Sequence, residues 1–225
     1  PTTAPGLLYS YHITKTWLMA ETKVLIVEDE PLIAEDIAAC LRRRDFAVTN
    51  ILYSSEDFEQ ELEKKLPDIV ILDINLNGDQ EGIELARFIN SEYQLPFIYI
   101  TSYSDRKTLE QAKDTEPAGY IVKPFTEAGL YATLEIAMHN HVQKSRSKYP
   151  DLVLNRINNR LKDPISPREF DVLRLIYEGC SNQQISEKLF VSNNTIKAHI
   201  RSIYFKLDTA SRSGTIARLR ELMLQ

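Results

Sequence analysis

The chain has 225 residues, 43% of them hydrophobic, and a formal net charge of -5. Length and composition allow two small packed domains and exclude a disordered protein. No apolar run approaches the roughly 20 residues needed to cross a bilayer, and two cysteines, Cys40 and Cys180, are too few for a disulfide scaffold; no membrane association and a reduced, cytoplasmic setting are expected.

Residues 1–18 show no clear periodicity and lack the basic start and long apolar stretch of a signal peptide. Met19 is followed at once by a domain-like start, so 1–18 is expected to be a leader or an appended tail. From Lys23 the chain alternates. Strands are predicted at 23–27, 47–52, 69–73, 97–101 and 119–122. Helices are predicted at 31–44, with Pro31 in its first turn, then at 55–65, 82–91, 105–113 and 126–144. Five βα units in this length predict an α/β domain with a doubly wound, five-stranded parallel sheet covered by helices on both faces.

Residues 144–165 are polar, carry Pro150 and Pro164, and read as a linker in which Leu152-Val153-Leu154 docks onto one domain. From Ser166 the pattern is wholly helical. Ser166-Pro167-Arg168-Glu169 is a capping box with proline at the first helical position, and Gly179 can end that helix. Ser181-Asn182-Gln183-Gln184 is a second box, Ser192 can cap a third helix, and Ser211 or Ser213 a fourth. This predicts an all-α domain of four helices.

Charge divides along the same line. Residues 19–140 hold 24 acids and 11 bases, whereas 141–225 hold 8 acids and 15 bases. A basic small domain behind an acidic one points to nucleic acid as its partner.

The predicted strands end in polar residues: Glu28-Asp29, Asp73, Thr101 and Lys123-Pro124. In a parallel sheet these ends converge on one edge, where open α/β folds place their ligands. Any one of them could be an ordinary solvated side chain; together they describe a magnesium and phosphate site. Asp29 and Asp73 can supply carboxylates to Mg²⁺, Glu28 can reach it through water, and the backbone carbonyl of Asn75 can complete the set. A carboxylate can form an aspartyl phosphate, which makes Asp73 the candidate phosphoacceptor. Lys123 would neutralise charge on the phosphoryl group, and the Thr101 hydroxyl can donate to a phosphate oxygen.

In the helical half, Ile196, Ile200, Ile203 and Leu207 make one buried stripe. Lys197, Ala198 and Arg201 point away from it, with Asn194 beside them. A helix with an apolar back and a small, basic front suits the major groove. A shorter amphipathic segment through Ile185 and Leu189 precedes it at helix-turn-helix spacing. A helical bundle with a merely solvated polar face is the alternative. Phe205 falls on the outer face, where a small or charged residue is expected. No Cys/His spacing suggests zinc.

On Glu28-Asp29, Asp73, Thr101 and Lys123-Pro124-Phe125, residues 23–140 resemble the receiver domain of two-component response regulators. The resemblance implies a flavodoxin-like fold, phosphorylation of Asp73 by a histidine kinase, Mg²⁺ on the acid pair, a cis Lys123–Pro124 bond, and Thr101 with Tyr120 as the switch pair. The loop Asn75–Gly82 departs from the family in its extra acids and in lacking a common proline. Residues 166–222 resemble the LuxR/FixJ-type helix-turn-helix, on Ser-Pro-Arg-Glu, Asn-Gln-Gln-Ile-Ser and Ser-Asn-Asn-Thr-Ile-Lys-Ala-His-Ile. This implies that Lys197, Ala198 and Arg201 face bases, whereas Thr195, His199, Lys206 and Arg212 make phosphate or structural contacts.

The whole resembles a NarL/FixJ-type response regulator, with a receiver at 19–143, a linker at 144–165 and a LuxR-type domain at 166–225. The expected partners are a histidine kinase and double-stranded DNA, with RNA polymerase a further candidate and a homodimer forming on phosphorylation. It is not expected to be an enzyme. A phosphorylation-controlled adaptor acting only through protein partners, and a phosphatase using Asp73 as nucleophile, are the other readings.

Overall fold

The computed structural model describes residues 21–44, 46–78, 80–102, 106–146 and 151–224. The expected leader, Asp79 of the acidic loop and residues 147–150 of the expected linker lie outside them.

The first half is a parallel sheet of β1 (Thr22–Val27), β2 (Phe46–Leu52), β3 (Ile69–Asp73), β4 (Phe97–Thr101) and β5 (Gly119–Val122). The strand order is β2-β1-β3-β4-β5, so the order reverses between β1 and β3. The connecting helices are α1 (Pro31–Arg42), α2 (Phe58–Lys64), α3 (Glu81–Phe88), α4 (Arg106–Asp114) and α5 (Glu127–Arg146).

Strand side chains alternate between faces, and two cores result. Val24, Ile26, Ile69, Ile71, Ile98 and Ile100 pack under α1 and α5. Leu25, Val27, Val70, Leu72, Phe97 and Tyr99 pack under α2, α3 and α4. Because both faces are covered, β3 reads as an unbroken apolar run rather than an alternating one.

The predicted helix 82–91 is not regular to its end. After Phe88 it loosens into a π-turn at Ile89–Tyr93, closed by the Gln94 amide donating to the Ile89 carbonyl at 2.7 Å. Gln94 itself sits at φ +52.

The second half holds α6 (Leu154–Asn158), α7 (Pro167–Tyr177), α8 (Asn182–Leu189), α9 (Asn193–Leu207) and α10 (Arg212–Leu224). Helix α6 lies within the stretch expected to be a linker. Buried Ile157 draws it onto the helical core, with Leu152 and Leu154 beside it, whereas Val153 is exposed. Asn158 fastens its end by two hydrogen bonds with the Ile165 backbone.

Both predicted capping boxes form, at Ser166/Glu169 and Ser181/Gln184. Ser211 caps α10 by accepting from the Gly214 amide at 3.1 Å. Gly179 ends α7 at φ +81, and a Cβ there would lie 3.0 Å from the α carbon of His139. Both the positive φ and the close approach of α5 demand glycine.

Glu169 does more than cap. Besides the Ser166 amide at 2.7 Å, it accepts from Ser202 and, at 2.7 Å, from the Lys206 ammonium. Burial alone would raise its carboxyl, but the hydrogen bonds from Lys206, Ser202 and Ser166 outweigh it and hold the group down at about 2. A depressed folded-state value stabilises above the unfolded value of about 4.3 and is lost as pH falls towards 2. We therefore expect Glu169→Gln to destabilise the helical domain by on the order of 2 kcal/mol at pH 7, and by progressively less from pH 5 to pH 2. Denaturant titrations of both proteins across that range check this; a pH-independent difference would contradict it.

Candidate functional site

The strand ends converge where β1 and β3 part, the place where open parallel sheets bind ligands. Glu28 and Asp29 follow β1, Asp73 ends β3, Thr101 ends β4 and Lys123 follows β5. Glu28 is fully buried and Asp73 nearly so. One carboxylate oxygen from each of Glu28, Asp29 and Asp73 lies within 4.8 Å of the others.

Lys123 offsets part of this charge. Its ammonium is 2.6 Å from Asp73 Oδ2, 2.8 Å from Glu28 Oε2 and 3.8 Å from Glu30. Burial disfavours that charge, yet the hydrogen bonds to Asp73 and Glu28 hold the ammonium above its ordinary pKa. Burial pushes Glu28 up to about 7 against the Lys123 hydrogen bond, and the Asp73 charge adds to the rise.

The loop walls are set by backbone contacts. The Asn75 amide donates to Asp73 Oδ1 at 3.1 Å and the Asn77 amide to Asp29 Oδ2 at 2.9 Å. Gly82 returns the loop to the site; a Cβ there would lie 1.9 Å from the Asp73 carbonyl oxygen, so no side chain is admissible without moving β3 or α3. The Lys123–Pro124 bond is cis.

The cluster suits a small divalent cation. Oxygens from three carboxylates converge, and Glu28 Oε2 is buried and lacks a directed hydrogen bond although it faces Lys123. A cation there would relieve the crowding of negative charge.

Thr101 is buried and donates to the Ser102 carbonyl at 2.8 Å. Tyr120 is half-buried, with its ring 5.3 Å from that of Tyr99 and its buried hydroxyl unpartnered. Burial pushes that hydroxyl up to about 12. Beside the cluster, Leu32, Ile33, Ala39 and Phe125 line an open groove between α1 and the start of α5, and Leu32 is 87% exposed.

In α9, Ile196, Ile200, Ile203 and Leu207 are buried, while Thr195 and Ala198 are exposed. Thr195 shares its hydroxyl with the cap residue Ser192 at 2.8 Å. His199 is half-buried, and Arg201 donates to the Lys197 carbonyl at 3.1 Å. Two basic residues take structural places. Lys206 bonds Glu169 and the Pro164 carbonyl. Arg212 is 3% exposed and donates to the Cys180 carbonyl and Asn182. Phe205 is exposed on the outer face. So is Phe190, which closes α8 at φ +54.

Lys197 is not turned to solvent. Its ammonium lies 3.2 Å from Glu21, at the start of β1, and only 15% of the side chain is exposed. The helical domain thus packs against the N-terminal edge of the sheet, opposite the acid cluster. Buried Asp68 is central to this contact. One oxygen accepts from the Lys23 amide at 2.9 Å; the other accepts from the Ser213 amide at 2.8 Å and hydroxyl at 3.0 Å. Neither Glu21 nor Asp68 stood out in the sequence, because a contact between domains leaves no periodic signal.

Residues 24–135 match the response regulator receiver domain, and 163–219 match the bacterial regulatory proteins of the luxR family. A nitrate/nitrite response regulator protein homolog of Haemophilus influenzae is 31% identical over 194 residues, covering 84% of this chain and 92% of that protein. The transcriptional regulatory protein LiaR of Bacillus subtilis is 27% identical, covering 85% and 93%. Among solved structures, the signal receiver domain of a modulated diguanylate cyclase from Desulfovibrio desulfuricans is 32% identical, with TM-score 0.52, over 55% of this chain and 98% of that one. Full-length FixJ from B. japonicum matches 91% of this chain and 98% of its own at 22% identity and TM-score 0.50, a likeness of fold.

A receiver ahead of a LuxR-type helical domain defines a transcriptional response regulator of a two-component system. The chain belongs to the NarL/FixJ-type members of that class.

Removing Lys123 would leave Glu28 and Asp73 buried without their cation. Lys123→Ala is expected to lower the stability of the sheet domain by about 3 kcal/mol in the presence of chelator. Added Mg²⁺ should recover more stability in the variant than in the wild type, since it supplies the missing positive charge. Thermal melts with and without Mg²⁺ read both effects; a variant as stable as wild type in chelator would refute the assignment.

Proposed function

We propose that Asp73 accepts a phosphoryl group from a histidine kinase and that phosphorylation controls DNA binding by α9. The observation that carries this reading is the Lys123 ammonium 2.6 Å from Asp73 within a buried acid cluster at the strand ends. The Asp73 carboxylate attacks the phosphorus of a phosphohistidine. An O–P bond forms as the N–P bond breaks, and the departing imidazole takes a proton. Lys123 offsets charge on the transferring group. Asp29, Asp73 and the Asn75 carbonyl would hold Mg²⁺, with Glu28 reached through water; the bound ion would supply further charge neutralisation. The groove at Leu32 and Phe125 lies beside the acceptor and is open to a kinase.

The switch is local. The phosphate brings a charge of about -1.5 to -2 and new acceptor oxygens. The Thr101 hydroxyl leaves the Ser102 carbonyl for the phosphate, and Tyr120 follows into the space beside it. Its unpartnered hydroxyl ties it to no fixed partner in the present arrangement. Shape then changes along α4 and β5, the surface that a partner reads.

At the output end, Lys197, Ala198 and Arg201 read base edges, while Thr195 and His199 lie at the flank for phosphate contact. The Glu21–Lys197 ion pair withholds Lys197 in the present arrangement, and phosphorylation releases it. The active species is a homodimer on paired half-sites, acting on RNA polymerase in the cytoplasm. Two buried free cysteines accord with a reducing compartment.

Two measurements test this reading. Incubation with Mg²⁺ and a small-molecule phosphodonor should add one phosphate to the intact mass of wild type and none to Asp73→Ala; no gain in either would remove the switch. Separately, Glu21→Gln should raise the duplex affinity of the unphosphorylated protein by about threefold to tenfold, the worth of one partly buried ion pair. That affinity should fall steeply with salt as counterions are displaced from DNA. An unchanged affinity in the variant would mean that the pair does not restrain α9.

A further inference from the structure

Phe205 has no part in the scheme above, yet it stands at the centre of the outward side of α9. At about 100° per residue, Asn194, Ala198, Arg201 and Phe205 fall on one line along that helix, opposite the buried isoleucine stripe. Asn194 and Ala198 are exposed, Arg201 is half-buried, and Phe205 is 79% exposed. A single exposed ring is ordinary on a protein surface. This one continues the line of Ala198 and Arg201, the residues proposed to read base edges. Docking of the helical domain leaves it open: Lys197, on the flank of the same helix, pairs with Glu21 at 3.2 Å, while the Phe205 ring stays in solvent.

The two ends of that line differ in chemistry. Asn194 and Arg201 bring hydrogen-bond donors to the earlier turns. Lys206 and Asp208 flank the last turn. Lys206 is committed to Glu169 and the Pro164 carbonyl. Asp208 is exposed at the C-terminus of the helix, where the macrodipole is also negative. That end offers little to a phosphate and presents a bare aromatic ring instead. In the major groove the bases show hydrogen-bonding groups, and the one apolar substituent among them is the C5-methyl group of thymine. A second copy of the chain would set this basic half against itself, since residues 141–225 hold 15 bases and 8 acids. Charge therefore favours a polyanion on this face.

We propose that Phe205 is a specificity residue of the DNA contact, its ring packing on the methyl group of a thymine at the edge of the half-site. Phe205 stands seven residues after Ala198, a rise of about 10 Å, or about three base pairs. The thymine therefore lies about three pairs beyond the one that Ala198 faces. This role rests on the proposed reading of α9 and adds to it a base preference at the C-terminal end of the helix.

The test begins with selection of duplexes from a random pool by the full chain, with and without Mg²⁺ and a small-molecule phosphodonor. Single thymines of the selected duplex are then replaced by deoxyuridine, which pairs as thymine does but lacks the methyl group. One replacement at the edge of the half-site should weaken binding by wild type about fourfold, the worth of one methyl group removed from water. Phe205→Ala should bind the thymine duplex about as weakly and be indifferent to that replacement. Phe205→Leu, which keeps an apolar contact, should remain sensitive to it. The uracil arm uses the wild-type protein, so a folding defect cannot mimic its result. An effect that persists undiminished in Phe205→Ala overturns the proposal. Arg201→Ala separates the two ways of failing. If it loses affinity while no uracil replacement acts through Phe205, α9 reads DNA and the thymine contact alone falls. If neither variant alters binding, or the chain selects no sequence, the reading of α9 falls and takes the thymine contact with it. If Phe205→Ala turns a dimer into a monomer in sedimentation without DNA, the ring belongs to a contact between subunits and the proposal is overturned.

Discussion

Negative charge is crowded at the C-terminal edge of the sheet, and one ammonium group holds it there. Glu28, Asp29 and Asp73 are brought together by the parallel register of β1 and β3, and Lys123 reaches across from the end of β5. Carboxylates buried this closely are costly unless a cation answers them. Much of the surrounding geometry serves that end: the amides of Asn75 and Asn77 aimed at carboxylates, and Gly82 drawn against the Asp73 carbonyl. The edge is therefore tuned to any change in its charge, whether a cation or a phosphoryl group.

The opposite edge of the same sheet has a different character. There Glu21 and Asp68 meet the helical domain through an ion pair and hydrogen bonds, beside a polar cleft. Such interfaces within a chain resemble transient ones and permit domains to move. The sheet thus separates the chemistry at one end from the docking at the other. Its core strands, buried on both faces, are the rigid element between them.

The sequence made the sheet and its site legible for a physical reason. A buried parallel strand is an apolar run, and the residue that ends it lies at the binding edge, so Asp73, Thr101 and Lys123 can be placed together from sequence alone. Helix starts were equally plain, because Ser166 with Glu169 and Ser181 with Gln184 carry their hydrogen-bond partners three residues away. What stayed hidden lacked such local encoding. Helix α6 is too short and polar to show a period, and only Ile157 reveals what draws it in. Arg212 carries the charge of a DNA contact but spends it on the Cys180 carbonyl and Asn182, a use visible only in three dimensions.

Asp68 lies in the sheet domain, yet it accepts from the second amide of α10 in the helical domain. One turn of that helix therefore has its start completed by a residue that stays behind whenever the domains part. On separation the Ser213 amide must turn to water, and the negative charge that favoured the helix start, a contribution of about 0.3–1 kcal/mol in such positions, is withdrawn. Parting the domains therefore frays the N-terminal turn of α10 at the same moment that it frees Lys197. The helical domain should be measurably softer at that end when detached, and folding of α10 is coupled to where its neighbour sits.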